Sequence, residues 1–598
     1  MKNRKIYNIL LVTVWILGGV SCSLDEYNPG GSSLEALMTT QNGFKQAINN
    51  CYFGLQRSFY GKQIYIELAE AGTDLWTAKQ NSNTNANYFK YAEGGSMNLN
   101  MAQSIWNSGY DGIGSCNLAL AQADKVIDWD SEEVKNEILA EAHFLRGLYY
   151  YNLVEIFGGV TLITAKNEGV NMAPGRTEPL EIYKNCIIPD LEFAATYLPI
   201  SRPEEEGRAL RKSAKAYLVK AYLTTKEYGC SDYLQAAKDV ADELIRDCEA
   251  GGADLDTYMY TTFDDVFADA NNQNNKESMF SIACSSQYGS VNAWQNNLSW
   301  MEFYCNTYYF PAVEKTQESI KQWGGNPEGM FMPSKCLLDL YVQSDNKLDP
   351  RYAASFKTLW KANKAFTWSE DKIKEMDRNG ITTNTTLGVG DDAIRIIRSE
   401  EDNYAALKAN KLKAPYMIVD VEDLYDDAGK VKMNYTRQSD GKTVLNPFYY
   451  FYPSLSKFNT TNVVVSNWSK GRYGSNASII TMRMAEIYLL AAEADVYLTG
   501  GTNANRYINA VRERAGATKY NGTVDIQYIL DERARELAGE STRWFDLKRT
   551  GKLTEDYLKQ TNPDIGQYFL NSTHTVRPIP QSFTDIIENG VDYQNPNY

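Results

Sequence analysis

Histidine is almost missing from this chain of 598 residues, with His143 and His574 the only two. Two imidazoles so far apart cannot build a histidine-rich metal site or supply most imidazole-based catalysis. His143, inside a helical pattern, reads as a packed or capping side chain. The nine cysteines contain no Cys-x-x-Cys pair, which argues against zinc ribbons and thioredoxin-type redox chemistry. A P-loop, a dinucleotide-binding glycine fingerprint, an HExxH helix and a GxSxG elbow are all lacking, so no cofactor, metal or motif-bearing enzyme class is indicated. A basic excess is lacking too. Lys plus Arg total 60 against 75 for Asp plus Glu, a formal charge of -15, which disfavours sequence-independent nucleic-acid binding. The apolar run from Ile9 to Leu17 is too short to span a membrane in the mature protein.

What is present is a composition for a large core, 43% hydrophobic and 12% aromatic. Lys2, Arg4 and Lys5, then Ile9 to Leu17, then Gly18, Gly19, Val20 and Ser21 form a signal-peptide pattern. Helical periodicity begins near Gln41, with Phe44, Ala47, Ile48, Cys51, Tyr52 and Leu55 on one stripe. The stretch from Met101 to Val126 reads as helix despite Gly109, Gly112 and Gly114. Two helix pairs follow, Glu132 to Phe157 with Leu180 to Leu198, and Ser213 to Tyr228 with Tyr233 to Cys248. Between Gly251 and Gly474 the periodicity decays into Asn, Gly, Tyr and Trp, with short candidate strands at Met279 to Cys284, Ala393 to Ile397, Tyr416 to Val421 and Val463 to Val465.

Helices resume after Thr481. Met484, Ile487, Tyr488, Ala491, Ala494 and Leu498 make one apolar stripe, with Glu486, Glu493 and Asp495 off it. A second helix through Tyr507, Ile508 and Val511 ends at Gly516, and a third carries Ile526, Ile529, Leu530, Ala534 and Leu537 up to Gly539. Short loops make these helices antiparallel neighbours. Glu532, Arg533, Arg535, Glu536, Glu540, Arg543, Asp546, Lys548 and Arg549 alternate at spacings that let helical side chains pair, which predicts a structural ion network and not a catalytic carboxylate cluster. The predicted fold is predominantly α, a tetratricopeptide-like helical repeat scaffold with a large irregular region containing a few short strands.

The segments "RMAEIYLLAAEA", "INAVRERAG", "ILDERARELAGESTRWFDLKR", "VRPIPQ" and "QNPNY", with "AEAHFLRGLYYYNLVEIFGGV" and "FMPSKCLLDLYVQSDNKLDPRYAASF" upstream, together resemble the signatures of the SusD/RagB family. One departure is Asn597, where the family usually has Gly; Asn tolerates the left-handed conformation better than most residues. The resemblance implies an outer-membrane lipoprotein without enzymatic activity. Its role would be to bind oligosaccharide or polysaccharide as a lid over a SusC-like TonB-dependent transporter, with the repeat helices as docking face. Cys22 after small residues resembles a lipobox, so residues 1–21 would be removed and the membrane lipid carried on Cys22. Ser23, Leu24, Asp25 and Glu26 resemble an acidic surface-export tag of Bacteroidetes-type bacteria, within a flexible tether over 22–40. The family domain would be 41–598, with a scaffold over about 41–250 and 477–549, an irregular ligand-binding region over about 251–476, and a tail over 550–598. The other eight cysteines, in an oxidising compartment, could pair or stay as buried thiols; their wide spacing fixes no connectivity.

Two rival roles remain. Some relatives serve peptide import, and a helical glycoside hydrolase needs only two opposed carboxylates that leave no sequence signature. For a glycan, the expected site is an aromatic platform, because a pyranose offers C–H groups on its faces and hydroxyls at its rim. Trp76 near Asp74 and the Asn-rich run, Tyr288, Trp294 among Asn292, Asn296 and Asn297, Trp300, and Trp323 before Gly324, Gly325 and Asn326 are the candidates. Trp106 and Trp544 lie in helical contexts and are assigned to the core, as are Tyr149, Tyr150 and Tyr151.

Overall fold

A computed structural model of the chain describes residues 37–60, 63–78, 87–92, 97–166, 169–203, 205–284, 305–323, 329–378, 380–432, 435–437, 443–445, 450–460, 463–467, 472–475 and 477–598. The chain opens with α1 (Gln41–Gly54), capped by the Thr40 side chain, which accepts the Gly43 N–H. Next come α2 (Gln63–Glu70), the short strand β1 (Trp76–Ala78) and α3 (Gln103–Gln122). The longest helix, α4 (Glu132–Phe157), starts where Ser131 accepts the Val134 N–H and stops at Gly158, whose φ of 75° ends the helical path. From Ile138 onward nearly every α4 residue is buried, Tyr149, Tyr150 and Tyr151 included. A helix hydrophobic all round belongs at the centre of a core, and α4 is packed by α1, α3 and α5 (Ile188–Tyr197).

The pattern then repeats. Helix α6 (Arg211–Thr224) packs on α5 and on α7 (Leu234–Glu249). The chain leaves the array after α7 and rejoins it at α8 (Met484–Thr499), which packs directly on α7. Helices α9 (Ala504–Arg514) and α10 (Ile526–Leu537) both pack on α8, and α11 (Arg543–Arg549) closes the block against α2. The result is one continuous helical repeat scaffold assembled from two distant stretches of sequence.

The exit and return of the excursion are clamped together. Strand β2 (Ser278–Ile282) pairs antiparallel with a strand over Ile479–Arg483 that runs straight into α8, with Ile282 opposite Ile479. Within the excursion β3 (Phe331–Pro333) pairs with β1, fastening it to the N-terminal part. Further along, β4 (Phe356–Lys357) pairs with a strand at Ser454–Leu455. Strands Leu359–Lys361, Asp392–Ile397 and Met417–Asp420 form a three-stranded mixed sheet. The four candidate strands read from the sequence all coincide with strands, at shifted ends.

One expectation for α8 is corrected. Glu486, Glu493 and Asp495 were expected off the apolar stripe, yet all three are buried, while Leu498 on the stripe is 38% exposed. The reason is that most of α8 is enclosed and its carboxylates find buried partners: Glu486 meets Arg533 and Lys220, Glu493 meets Arg549, and Asp495 accepts the Asn503 N–H at 2.7 Å.

Candidate functional site

The charged block after α9 is an ion network. Glu536 lies between Arg351 (2.9 Å), Arg483 (2.7 Å) and Arg514. Glu532 meets Arg351, Arg512 and Arg535, each at 2.8 Å, and Asp546 meets Arg533 at 2.8 Å and Arg549 at 3.0 Å. Burial by itself would raise these carboxyls. The surrounding guanidinium groups outweigh it, holding Glu532 and Asp546 at about 2 and Glu536 well below the usual carboxylate range. A general acid needs a carboxyl raised toward neutrality, so these groups are structural anions. His143, whose Nδ1 lies 2.6 Å from Asp190 Oδ1, belongs to a similar packed pair with Arg146.

Concavities among the described residues differ in what lines them. A cavity of about 60 Å³ lies among Tyr60, Tyr65, Tyr151, Tyr217 and Phe545. All five of these side chains belong to the buried core. Clefts of about 420 and 450 Å³ flank the loop carrying Arg202 and Arg208. Their charged groups are already engaged: Arg202 donates to Glu141 at 3.0 Å and to Glu137 at 2.9 Å, and Arg208 donates to Glu141 at 3.1 Å and to Asn49 at 2.6 Å. A neutral ligand there would have to displace paired charges.

Among the described residues, a surface feature that suits a flat apolar ligand face is a tyrosine stack on the irregular region. Tyr308 and Tyr309 are 40% and 41% exposed. Their rings are 5.0 Å apart at 24°, and Tyr309 in turn stacks on Tyr450 at 3.6 Å and 17°. The turn bearing them is pinned from both sides. Cys305 N–H donates to Ser454 Oγ (2.9 Å), Asn306 N–H to the Tyr450 carbonyl (3.2 Å), and Tyr309 N–H to the Asn306 carbonyl (3.1 Å). Phe310, next in sequence, is buried against Phe366 and Trp368 and anchors the turn within the irregular region. Asn306 Nδ2 donates to Tyr308 Oη at 3.2 Å. Gly329, at φ 69°, packs so closely on the Asn306 amide that a Cβ there would sit 1.6 Å from its Oδ1, so only glycine leaves that amide in place. Burial, then Tyr309, pushes the Tyr450 hydroxyl up to about 12, so at neutral pH it remains a donor. The arrangement offers stacked ring faces with hydroxyl and amide groups at their edges.

The sequence candidates fare unevenly. Trp76 is fully buried in β1, its Nε1–H donating to Glu70 Oε2 at 2.9 Å and its ring set edge-on to Phe331. It is a core residue with no face for a sugar, and its place in the platform is withdrawn. Tyr288, Trp294 and Trp300 lie outside the described residues. Trp323 ends a helix over Gln317–Trp323, and its side chain likewise lies outside them. Trp106 and Trp544 are buried, as expected. Tyr308, Tyr309 and Tyr450 were missed, although the criterion applied to Trp294, an aromatic among asparagines in an irregular stretch, fits Asn306-Thr307-Tyr308-Tyr309 equally well. What the sequence did not display was Tyr450, 141 residues further on, completing the stack.

The family model described as "SusD family" matches residues 270–598, and one described as "Starch-binding associating with outer membrane" matches residues 31–223. The chain is 26% identical over 574 residues to SusD-like protein P2 of Formosa agariphila, covering 92% of this chain and 91% of that protein. It is 42% identical over 130 residues, 21% of this chain and 22% of the relative, to the starch-binding protein SusD of Bacteroides thetaiotaomicron. Among solved structures, a laminarin-binding SusD-like protein superposes with a TM-score of 0.59 at 21% identity, over 94% of this chain and 100% of the other. With one family model matched over more than half its length and the helical array in place, the chain belongs to the SusD family.

Proposed function

We propose that this chain is a cell-surface glycan-binding lipoprotein that captures an oligosaccharide or polysaccharide and delivers it to a SusC-like TonB-dependent transporter in the outer membrane. The observation that carries the reading is the pinned stack on the irregular region in which exposed Tyr308 and Tyr309 rest on half-buried Tyr450. Stacked rings with hydroxyl and amide rims suit the faces and edges of pyranose rings. The named ligands of relatives, starch and laminarin, are of that class. Stacked helix pairs offer a broad rigid face on which a persistent partner can dock, and lipid on Cys22 would hold the protein at the membrane.

The test is calorimetric titration with laminarin and starch oligosaccharides. Tyr308→Ala and Tyr309→Ala should each weaken binding by roughly 1–3 kcal/mol, by analogy with aromatic stacking on bases, with the melting temperature little changed because both rings are exposed. Unchanged affinity in both variants would overturn the site, and binding of peptides in place of glycans would overturn the ligand class. Cys22→Ala should release soluble protein in cells lacking the transporter, and retention on the membrane would overturn the anchor.

A further inference from the structure

We propose that Cys51 on α1 and Cys116 on α3 are a disulfide-forming pair whose oxidation cross-links the first helix to the body of the scaffold. Both are free thiols in the structure, and both side chains are completely buried. Their alignment follows from contacts on either side of them. Helices α1 and α3 run antiparallel. At one end Gln41 N–H donates to Asp128 Oδ1 (2.6 Å), just beyond α3. At the other, Gly54 and Gly112 both abut the Tyr149 side chain, where a Cβ on either would come within 2.7 Å and 2.4 Å of it. Counting three residues back from Gly54 and four forward from Gly112 moves about one turn in the same direction along the antiparallel pair, and arrives at Cys51 and Cys116. The neighbouring residues already touch, with Asn50 Nδ2 donating to Ser115 Oγ at 3.0 Å on the solvent side. On the core side Cys51 is the neighbour that, after burial, raises the Cys116 thiol, and the Cys51 Sγ–H itself donates to the Ala47 carbonyl at 3.8 Å. Tyr149 Oη donates to the Cys51 carbonyl (2.8 Å), which keeps this turn of α1 in register with the helices behind it.

The chemistry is thiol–disulfide exchange with a disulfide oxidant, the class of reagent that an exported chain meets. One cysteine thiolate attacks a sulfur of the oxidant, forming a mixed disulfide and releasing one oxidant thiolate. The second cysteine thiolate then attacks the protein sulfur of that mixed disulfide and expels the other oxidant thiolate. Two electrons pass to the oxidant, the two thiol protons end on its thiolates, and the Cys51–Cys116 bond remains. Cys186 is occupied differently, 3.5 Å from Asp190 Oδ2, and serves as the control.

The test uses oxidised and reduced glutathione as the probe couple. The full chain is unfolded in urea under reducing conditions, refolded in the couple, and alkylated in denaturant for thiol counting and peptide mass spectrometry. Refolding exposes both thiols to the oxidant, so burial cannot mask the pair. The expected result is a loss of two thiols per chain and a linked peptide pair containing Cys51 and Cys116. That loss should be abolished in Cys51→Ala and in Cys116→Ala and should persist in Cys186→Ala. Full alkylation of Cys51 and Cys116 after refolding, or a link to a different cysteine, would overturn the proposal.

Discussion

Trp76 and Tyr309 show how differently two aromatic residues in irregular sequence are used. Trp76 fills the core beside Phe331 and donates to Glu70. Its removal should leave a cavity and strip Glu70 Oε2 of its donor, leaving the Thr542 N–H on Oε1, so Trp76→Ala is expected to lower stability by roughly 3–5 kcal/mol, read from urea denaturation, while the folded fraction keeps its glycan affinity. Tyr309→Ala should do the reverse, weakening binding and sparing stability. At the C-terminus, Asn597 sits at φ 68°, the left-handed conformation its family's glycine would adopt. The polar side chain also donates to the Ser572 carbonyl at 3.0 Å, so the departure from glycine comes with an added contact.

Among the elements, α10 bears most of the electrostatic burden. Its Glu536 is shared by three arginines drawn from the excursion (Arg351), the start of α8 (Arg483) and the end of α9 (Arg514). Glu536→Gln would leave three buried guanidinium groups short of one anion. A buried pair broken on one side costs roughly 3–5 kcal/mol, and a fall of that size in unfolding free energy by urea titration is the expected outcome. A change below about 0.5 kcal/mol would mean that the network relaxes onto Glu277 and Glu540, the other carboxylates within reach of Arg483.

For the whole molecule, two sets of carboxyls pull stability in opposite directions with pH. Glu532 and Asp546 are held at about 2, below their ordinary values of 4.5 and 3.8, by the arginines that overcome their burial. Their contribution is present above about pH 4.5 and is lost as pH falls toward 2. Glu67, Glu70 and Glu227 are pushed by burial up to about 7. Their contribution is complete below about pH 4.5 and is lost as pH rises through 7. The melting temperature should therefore peak on the acid side of neutrality and decline at both ends, measured by thermal melts from pH 3 to 9. Glu70→Gln, which removes one raised group, should flatten the alkaline decline. A plateau extending unchanged to pH 9 would contradict this assignment.

The helices were legible in the sequence because their information is local. A 3.6-residue apolar period and a stopping Gly516 or Gly539, at φ 69° and 77°, act within a few residues. The charge alternation of α10 and α11 likewise announced an ion network, of which Glu532–Arg535 and Asp546–Arg549 have the helical spacing while Arg351, Arg483, Arg512 and Arg514 arrive from other elements. Four short strands were read as well, whereas β1, β3, β4 and the strand over Ile479–Arg483 were not. Tertiary structure decided what depends on distant partners. Whether Trp76 faces solvent was settled by β3, more than 250 residues away, which covers it. Whether Glu486 and Glu493 are exposed was settled by Arg533 and Arg549 approaching from other helices. Tyr308 and Tyr309 became a platform only when the chain brought Tyr450 beneath them, because burial and stacking are properties of packed neighbours and a linear pattern records only the residues beside it.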